Sequence, residues 1–169
     1  VQFDARLELS GRAALPVDAD YAGEQILLVG VLNGAMMVMA DLARALKIHC
    51  AVDWMAVSSY GSGTKTSGVV QILKDLSTDI ADKHVLIVED IVDTGLTLSY
   101  LKQNLQSRGP ASVEIMAMFS KPECLTADVD VKYIGFELPD EFVVGYGLDY
   151  AGRYRNLCAL GTLAPHVYS

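Results

Sequence analysis

Residues 84–97 read HVLIVEDIVDTGLT. The first half is a short, continuous apolar run of the kind found in central parallel strands, which are covered on both faces and so do not alternate with polar residues. The second half places Glu89, Asp90 and Asp93 within five positions and then turns the chain at Thr94-Gly95. Past the turn, Leu98, Leu101 and Leu105 recur at helical spacing until Arg108-Gly109-Pro110 stops the helix. Strand, acidic turn and helix follow one another with nothing between them.

The same alternation extends outward. ILLVGVL at 26–32 predicts a buried strand, and Gly34 opens a helix expected to run through Leu46. CAVDWMAVS at 50–58 predicts a strand, SSYGSGTKTSG at 58–68 a long polar loop, and VVQILK at 69–74 another strand. VEIMAMF at 113–119, VKYIGF at 131–136 and FVVG at 142–145 supply further strands, and Phe3 to Leu15 carries weak helical periodicity. The expected fold class is therefore α/β, with a mainly parallel central sheet flanked by helices. No internal repeat is evident.

With 169 residues, 51% of them hydrophobic and 20% charged, the chain has the size and the apolar content of one folded domain. A formal net charge of -8 with no Lys/Arg block argues against a nucleic acid partner. The charge-free stretch from Gln25 to Ala40 falls short of the roughly 20 residues a membrane helix needs, so no membrane partner is expected. Cys50, Cys124 and Cys158 form no Cys-x-x-Cys pair, and the first residues given have no secretory pattern, which leads to a cytoplasmic expectation. His49, His84 and His166 lack metal-ligand spacing.

In open α/β sheets, ligands bind beyond the carboxyl ends of the strands, where Glu89 to Thr97 would lie. One reading of Asp93-Thr94-Gly95 is a plain helix cap with two solvated acids before it. A cap needs only Asp93, however, and three crowded carboxylates raise one another's cost of ionisation unless a ligand balances them. Sugar hydroxyls donate to carboxylates and Mg²⁺ prefers hard oxygens, while the amides of Thr94, Gly95, Leu96 and Thr97 at a helix N-terminus suit a phosphate. The segment lacks the glycine and lysine of a P-loop. It also lacks the Asp-x-Asp spacing of haloacid-dehalogenase-type phosphatases, which has one residue between the acids, since two residues separate Asp90 from Asp93.

VEDIVDTGLT resembles the phosphoribosyl pyrophosphate motif of type I phosphoribosyltransferases: apolar residues, two acids, then Asp-Thr/Ser-Gly and a final Thr. VGVLNGA, SSYGSGTKTSG, FSKPE and GFELPDEFVVGYGLDYAGRYR resemble, in order, segments of the 6-oxopurine branch, most closely its bacterial hypoxanthine-guanine members. The likeness runs from about Tyr21 to Ser169. It implies a single phosphoribosyltransferase domain over 1–169, with a core at about 21–135, a hood from 1–20 and about 136–169, and a mobile lid at 58–68.

The resemblance also implies roles. Glu89 and Asp90 would hold the ribose hydroxyls, directly or through Mg²⁺, and Asp93 to Thr97 would bind the 5-phosphate. Asp93 would move a proton at N7 of the purine, Lys121 would donate to O6, Phe142 would stack on the base and the Val143 backbone would meet its edge. Asp149 would reach a second Mg²⁺ through water, Arg155 would take pyrophosphate, and Ser59-Tyr60 would close over it. Asn33 departs from the family, which usually has a basic residue there, most often lysine; the Asn33–Gly34 peptide is implied to be the one that can be cis and to offer its amide to pyrophosphate. The implied partners are phosphoribosyl pyrophosphate, a 6-oxopurine and further copies of the chain, as a homodimer or homotetramer. A xanthine preference and a non-catalytic regulatory role are the alternatives.

Overall fold

The computed structural model describes residues 10–59 and 70–168. The lid expected at 58–68 therefore lies, from Tyr60 onward, outside the described residues, as do Phe3 to Leu9 of the opening helical pattern.

Six strands form the central sheet: β1 (Ile26–Leu32), β2 (Cys50–Ser59), β3 (Val70–Lys74), β4 (His84–Val92), β5 (Ser112–Ser120) and β6 (Tyr133–Glu137). Their order is β3-β2-β1-β4-β5-β6, and every neighbouring pair is parallel except β2 with the edge strand β3. A parallel return needs a crossover, and two longer helices, α2 (Met36–Ala45) and α3 (Leu96–Gln106), lie in such crossovers. They follow a short α1 (Leu15–Asp20), and α4 (Pro165–Tyr168) comes last.

Because successive strand side chains point to opposite faces, one apolar run feeds two cores. Ile26 and Leu28 of β1 and Leu86 and Val88 of β4 pack with Val38, Met39 and Leu42 of α2. Leu27, Val29, Val31, Val85 and Ile87 pack on the other face with Leu98, Leu101 and Leu105 of α3. Burial of each such side chain stabilises by about 1.5–3 kcal/mol, so the unbroken runs in β1 and β4 follow from a sheet covered on both sides.

Where the boundaries differ from the sequence reading, local packing explains it. Helix α2 begins at Met36 rather than Gly34, because residues 33–35 form the turn that brings Gly34 against the Asp90 carboxylate. At the start of the described chain a π-helical turn, Ser10–Ala14, leads into α1, so helix continues to Asp20, past the expected end at Leu15. Pro16 is tolerated there because it falls in the first turn, whose amides have no partner within the helix. Ala13, Ala14 and Val17 are buried in the α2-side core. FVVG contributes only β7 (Val143–Val144), which pairs antiparallel with β8 (Gly161–Thr162) in a separate two-stranded ribbon.

Asp53, in the middle of β2, shows how a buried charge is retained. Its Oδ1 accepts from the Trp54 amide at 2.8 Å and its Oδ2 from the Ser77 and Thr78 amides, both at 2.9 Å. Burial pushes the carboxyl up, but these donors outweigh it and hold it below its ordinary value of 3.8. Asp53→Asn turns an amino group toward one set of donors and should cost about 1–3 kcal/mol in denaturant unfolding at neutral pH. A depressed carboxylate stabilises above its unfolded pKa and loses that contribution as pH falls through the folded one. The gap between wild type and variant should therefore narrow below pH 3.8.

Candidate active site

In the order β3-β2-β1-β4-β5-β6 the direction of winding reverses between β1 and β4, and the loops at their carboxyl ends part to leave a crevice. Asn33 and Gly34 follow β1, and Asp93 to Gly95 follow β4, so the two most suggestive loops of the sequence meet here. A Cβ on Gly34 would run into the carboxylate of Asp90, which is why only glycine fits. Asn33 is exposed, and the cis peptide is Leu32–Asn33, one bond before the Asn33–Gly34 position expected.

Glu89 and Asp90 are buried at the end of β4. As strand neighbours they face different clefts, but Glu89 Oε1 lies 3.3 Å from the Asp90 amide, which donates to it, and the two carboxyls interact. Burial pushes Glu89 well above its ordinary range, and the charge of Asp90 adds to the effect. Asp90 is also raised by burial, against the opposing pull of the Glu89 side chain, the Ile91 amide and Arg155. Asp93 is exposed. The three acids thus divide into a buried pair that strains against its own charge and a third that stands in the open.

Glu89 lines a cleft of about 280 Å³ with Val31, Val57, Asp93, Thr94, Gly95 and Thr97. Gly95 adopts the left-handed φ of 79° as the residue before α3, and a Cβ there would lie 2.8 Å from Leu125 and Val129 side-chain atoms. The amides of Thr126 and Ala127 both donate to the Thr94 carbonyl at 3.0 Å and fix the turn. The N-terminus of α3, with its positive dipole end, opens on this cleft and suits an anion. Leu96 is not among the lining residues, and its amide is directed to Thr94 Oγ1 at 3.5 Å.

Asp90 lines a second cleft, of about 220 Å³, with Asp93, Lys121, Phe142, Val143, Asp149 and Arg155. Lys121 is buried, its amide donates to the Val92 carbonyl at 2.9 Å and its Nζ lies 3.6 Å from Asp140. Arg155 donates to the Gly147 carbonyl and pairs with Asp149, both at 2.6 Å, while Asp149 also accepts from the Gly152 amide at 2.8 Å. Asp93 and Ile91 belong to both clefts, which therefore adjoin.

Of the residues singled out in the sequence, Ser59 ends β2 but its side chain, like all of Tyr60, lies outside the described residues. Ile91 in both clefts, Leu148 in the second cleft and Val31 and Val57 in the first escaped notice because they carry the pattern of core residues. Asp140 escaped because a lone acid in a loop has no periodicity to mark it. Among the described residues no three His, Cys, Asp or Glu side chains converge as a metal-binding group. Glu89 and Asp90 are a pair, and a hard cation brought in by a phosphorylated ligand would relieve their repulsion.

The family described as "Phosphoribosyl transferase domain" matches residues 3–151. The chain is 54% identical over 146 residues to a hypoxanthine-guanine phosphoribosyltransferase of Mycobacterium bovis, covering 86% of this chain and 72% of that protein. It is 51% identical over 170 residues to one of Mycobacterium avium, covering 99% and 84%. A crystal structure of a hypoxanthine phosphoribosyltransferase from Staphylococcus aureus superposes with a TM-score of 0.94 at 46% identity, over 98% of this chain and 90% of that one. A match of that extent, on a sheet whose reversal point already presents a phosphate-suited turn beside a buried acid pair, establishes that the chain belongs to the phosphoribosyltransferase family.

Proposed function

We propose that the chain transfers the 5-phosphoribosyl group from phosphoribosyl pyrophosphate to N9 of hypoxanthine or guanine, giving IMP or GMP and pyrophosphate in purine salvage. One observation carries this reading: two adjoining clefts of different chemistry share Asp93, so a phosphorylated sugar in one can meet a flat heterocycle in the other. The names of the relatives agree with it.

In this reading the turn Asp93 to Thr97 receives the 5-phosphate, with the amides of Thr94, Gly95, Leu96 and Thr97 offered at the start of α3. Glu89 and Asp90 hold the ribose hydroxyls and, with Asp149, the Mg²⁺ ions that accompany the donor. Held by these carboxylates, Mg²⁺ would supply positive charge against the diphosphate leaving group. Arg155 has a guanidinium fork suited to the same pyrophosphate, and donor binding would draw it from Asp149.

Lys121 donates to O6 of the base, which selects a 6-oxo purine over an amino donor at that position. Phe142 stacks on the purine, the Val143 backbone meets its edge and Asp93 exchanges the proton at N7 as N9 forms its bond to the ribose carbon. The segment Ser59-Tyr60 serves as the lid that excludes water from the oxocarbenium-like carbon. The ribbon β7–β8 and its loops act as the hood of a single domain. The enzyme works in the cytoplasm as a homodimer or homotetramer.

Purified protein with Mg²⁺ and phosphoribosyl pyrophosphate should convert hypoxanthine or guanine to its nucleotide, followed by absorbance or chromatography; no product from either base would defeat the proposal. Lys121→Ala should raise the purine KM roughly ten- to hundredfold, the range for a hydrogen bond to a charged donor, with the donor KM much less affected. Asn33→Lys should tighten pyrophosphate binding or change the oligomeric state, as read by product inhibition and light scattering. Glu89→Gln should separate stability from activity. A carboxyl raised in the folded state costs stability above its unfolded value of 4.5, so the neutral amide should melt higher at pH 7, with the gap closing below pH 4.5. Its turnover should nonetheless fall by about tenfold or more, since a charge-assisted contact to the donor is lost.

A further inference from the structure

Phe142 occupies the base cleft but is held from outside it. Its ring stacks against Tyr168 of α4, with centroids 5.0 Å apart and planes 25° apart, and meets Tyr150 edge-on at 5.6 Å and 88°. Neither tyrosine lines the cleft that Phe142 lines. Phe142 lines the cleft while both tyrosines pack against its ring from outside the cleft lining.

The position of α4 is itself fixed. The Tyr150 hydroxyl donates to the Val167 carbonyl at 2.9 Å, and the Val167 amide donates to the Ala164 carbonyl at 2.9 Å. Upstream, the Leu163 amide donates to the Phe142 carbonyl at 2.9 Å, which extends the β7–β8 pairing to Phe142 itself. The backbone of Phe142 is thus tied by the ribbon, but the residue is about a third exposed at 36%, so the two tyrosine contacts are what its ring packs against outside the cleft.

We propose that Tyr168 is a positioning residue for the purine: by stacking on the outer face of Phe142 it presents the inner face to the base, so that base, Phe142 and Tyr168 form a three-ring stack. Tyr150 anchors this arrangement through its edge contact and its bond to Val167. The proposal rests on the purine-transfer reading above. Its physical basis is population: if the ring is correctly placed only part of the time, the apparent affinity for the base falls by that fraction. The donor cleft, which neither tyrosine touches, is unaffected.

Steady-state kinetics on Tyr168→Ala, Tyr168→Phe and Tyr150→Phe test it, with purine and donor varied separately and melting temperature as the folding control. Tyr168→Ala should raise the purine KM about three- to tenfold, the scale of one aromatic pair, while the donor KM and kcat stay within about twofold. Tyr168→Phe keeps the stack and should restore the wild-type purine KM, and Tyr150→Phe should fall between. An unchanged purine KM in Tyr168→Ala, or purine and donor KM rising together, would overturn the proposal. NMR of the labelled Phe142 ring reads the same contact without turnover: Tyr168→Ala should give faster ring flipping and averaged rotamers, and an unaltered ring would refute the positioning role. An inactive wild type would count against the purine-transfer reading alone, since the ring measurement still decides what Tyr168 does.

Discussion

The arrangement depends on the burial of two adjacent carboxyls at the end of a central strand. Glu89 and Asp90 lie just past the point where β4 parts from β1, while β4 still pairs with β5, and apolar cores lie on both faces just behind them. Water cannot solvate them well there, and their ionisation is resisted by burial and, for Glu89, by the neighbouring charge. A fold selected for stability alone would place leucine or valine at these positions. In the proposed function, ribose hydroxyls and a cation would relieve this repulsion, and the free energy so released would add to binding of the donor.

That constraint propagates into the backbone around it. The Asp90 carboxylate occupies the space in front of Gly34, so the loop after β1 has no room for a side chain there. Gly147 in turn sits against the Gly34 carbonyl, and the Tyr146 hydroxyl donates to Asp41 of α2 at 2.9 Å. Through these contacts the loop between β7 and β8, which carries Asp149 and Arg155, is brought to the sheet from a remote part of the chain. Asp90 and Arg155 then share one cleft, and the guanidinium lowers the cost of the buried carboxylate.

These relations were unequally legible in the sequence. The buried strands and α3 were readable because a two-sided sheet demands long apolar runs and a helix demands its own period. The acid pair was readable because charge at the end of such a run has no structural use. Asp140 beside Lys121, Tyr168 behind Phe142 and the short strand Gly161–Thr162 were not, since each acts through a partner distant in sequence and none carries a local pattern. The expectation that all three acids crowd one another was also too simple. β4 stays in the sheet through Val92, which keeps Glu89 and Asp90 in the interior and delivers Asp93 to the surface of the turn.

That separation suits the two tasks proposed for the acids. Groups that hold a ribose and a cation benefit from a dry site, because their electrostatic contacts strengthen as the local dielectric falls. A group that moves a proton at N7 must instead take it up and release it once per turnover, and exchange with solvent or substrate requires access. Asp93 has access to both clefts, while Glu89 and Asp90 each face one. The spacing of two residues between Asp90 and Asp93 is what makes this division possible: it lets one strand end carry a buried holder and an exposed proton carrier, with Ile91 and Val92 still packed between them. With one residue fewer, alternation along the strand would return the second acid to the face of the first, and the two roles would compete for one environment.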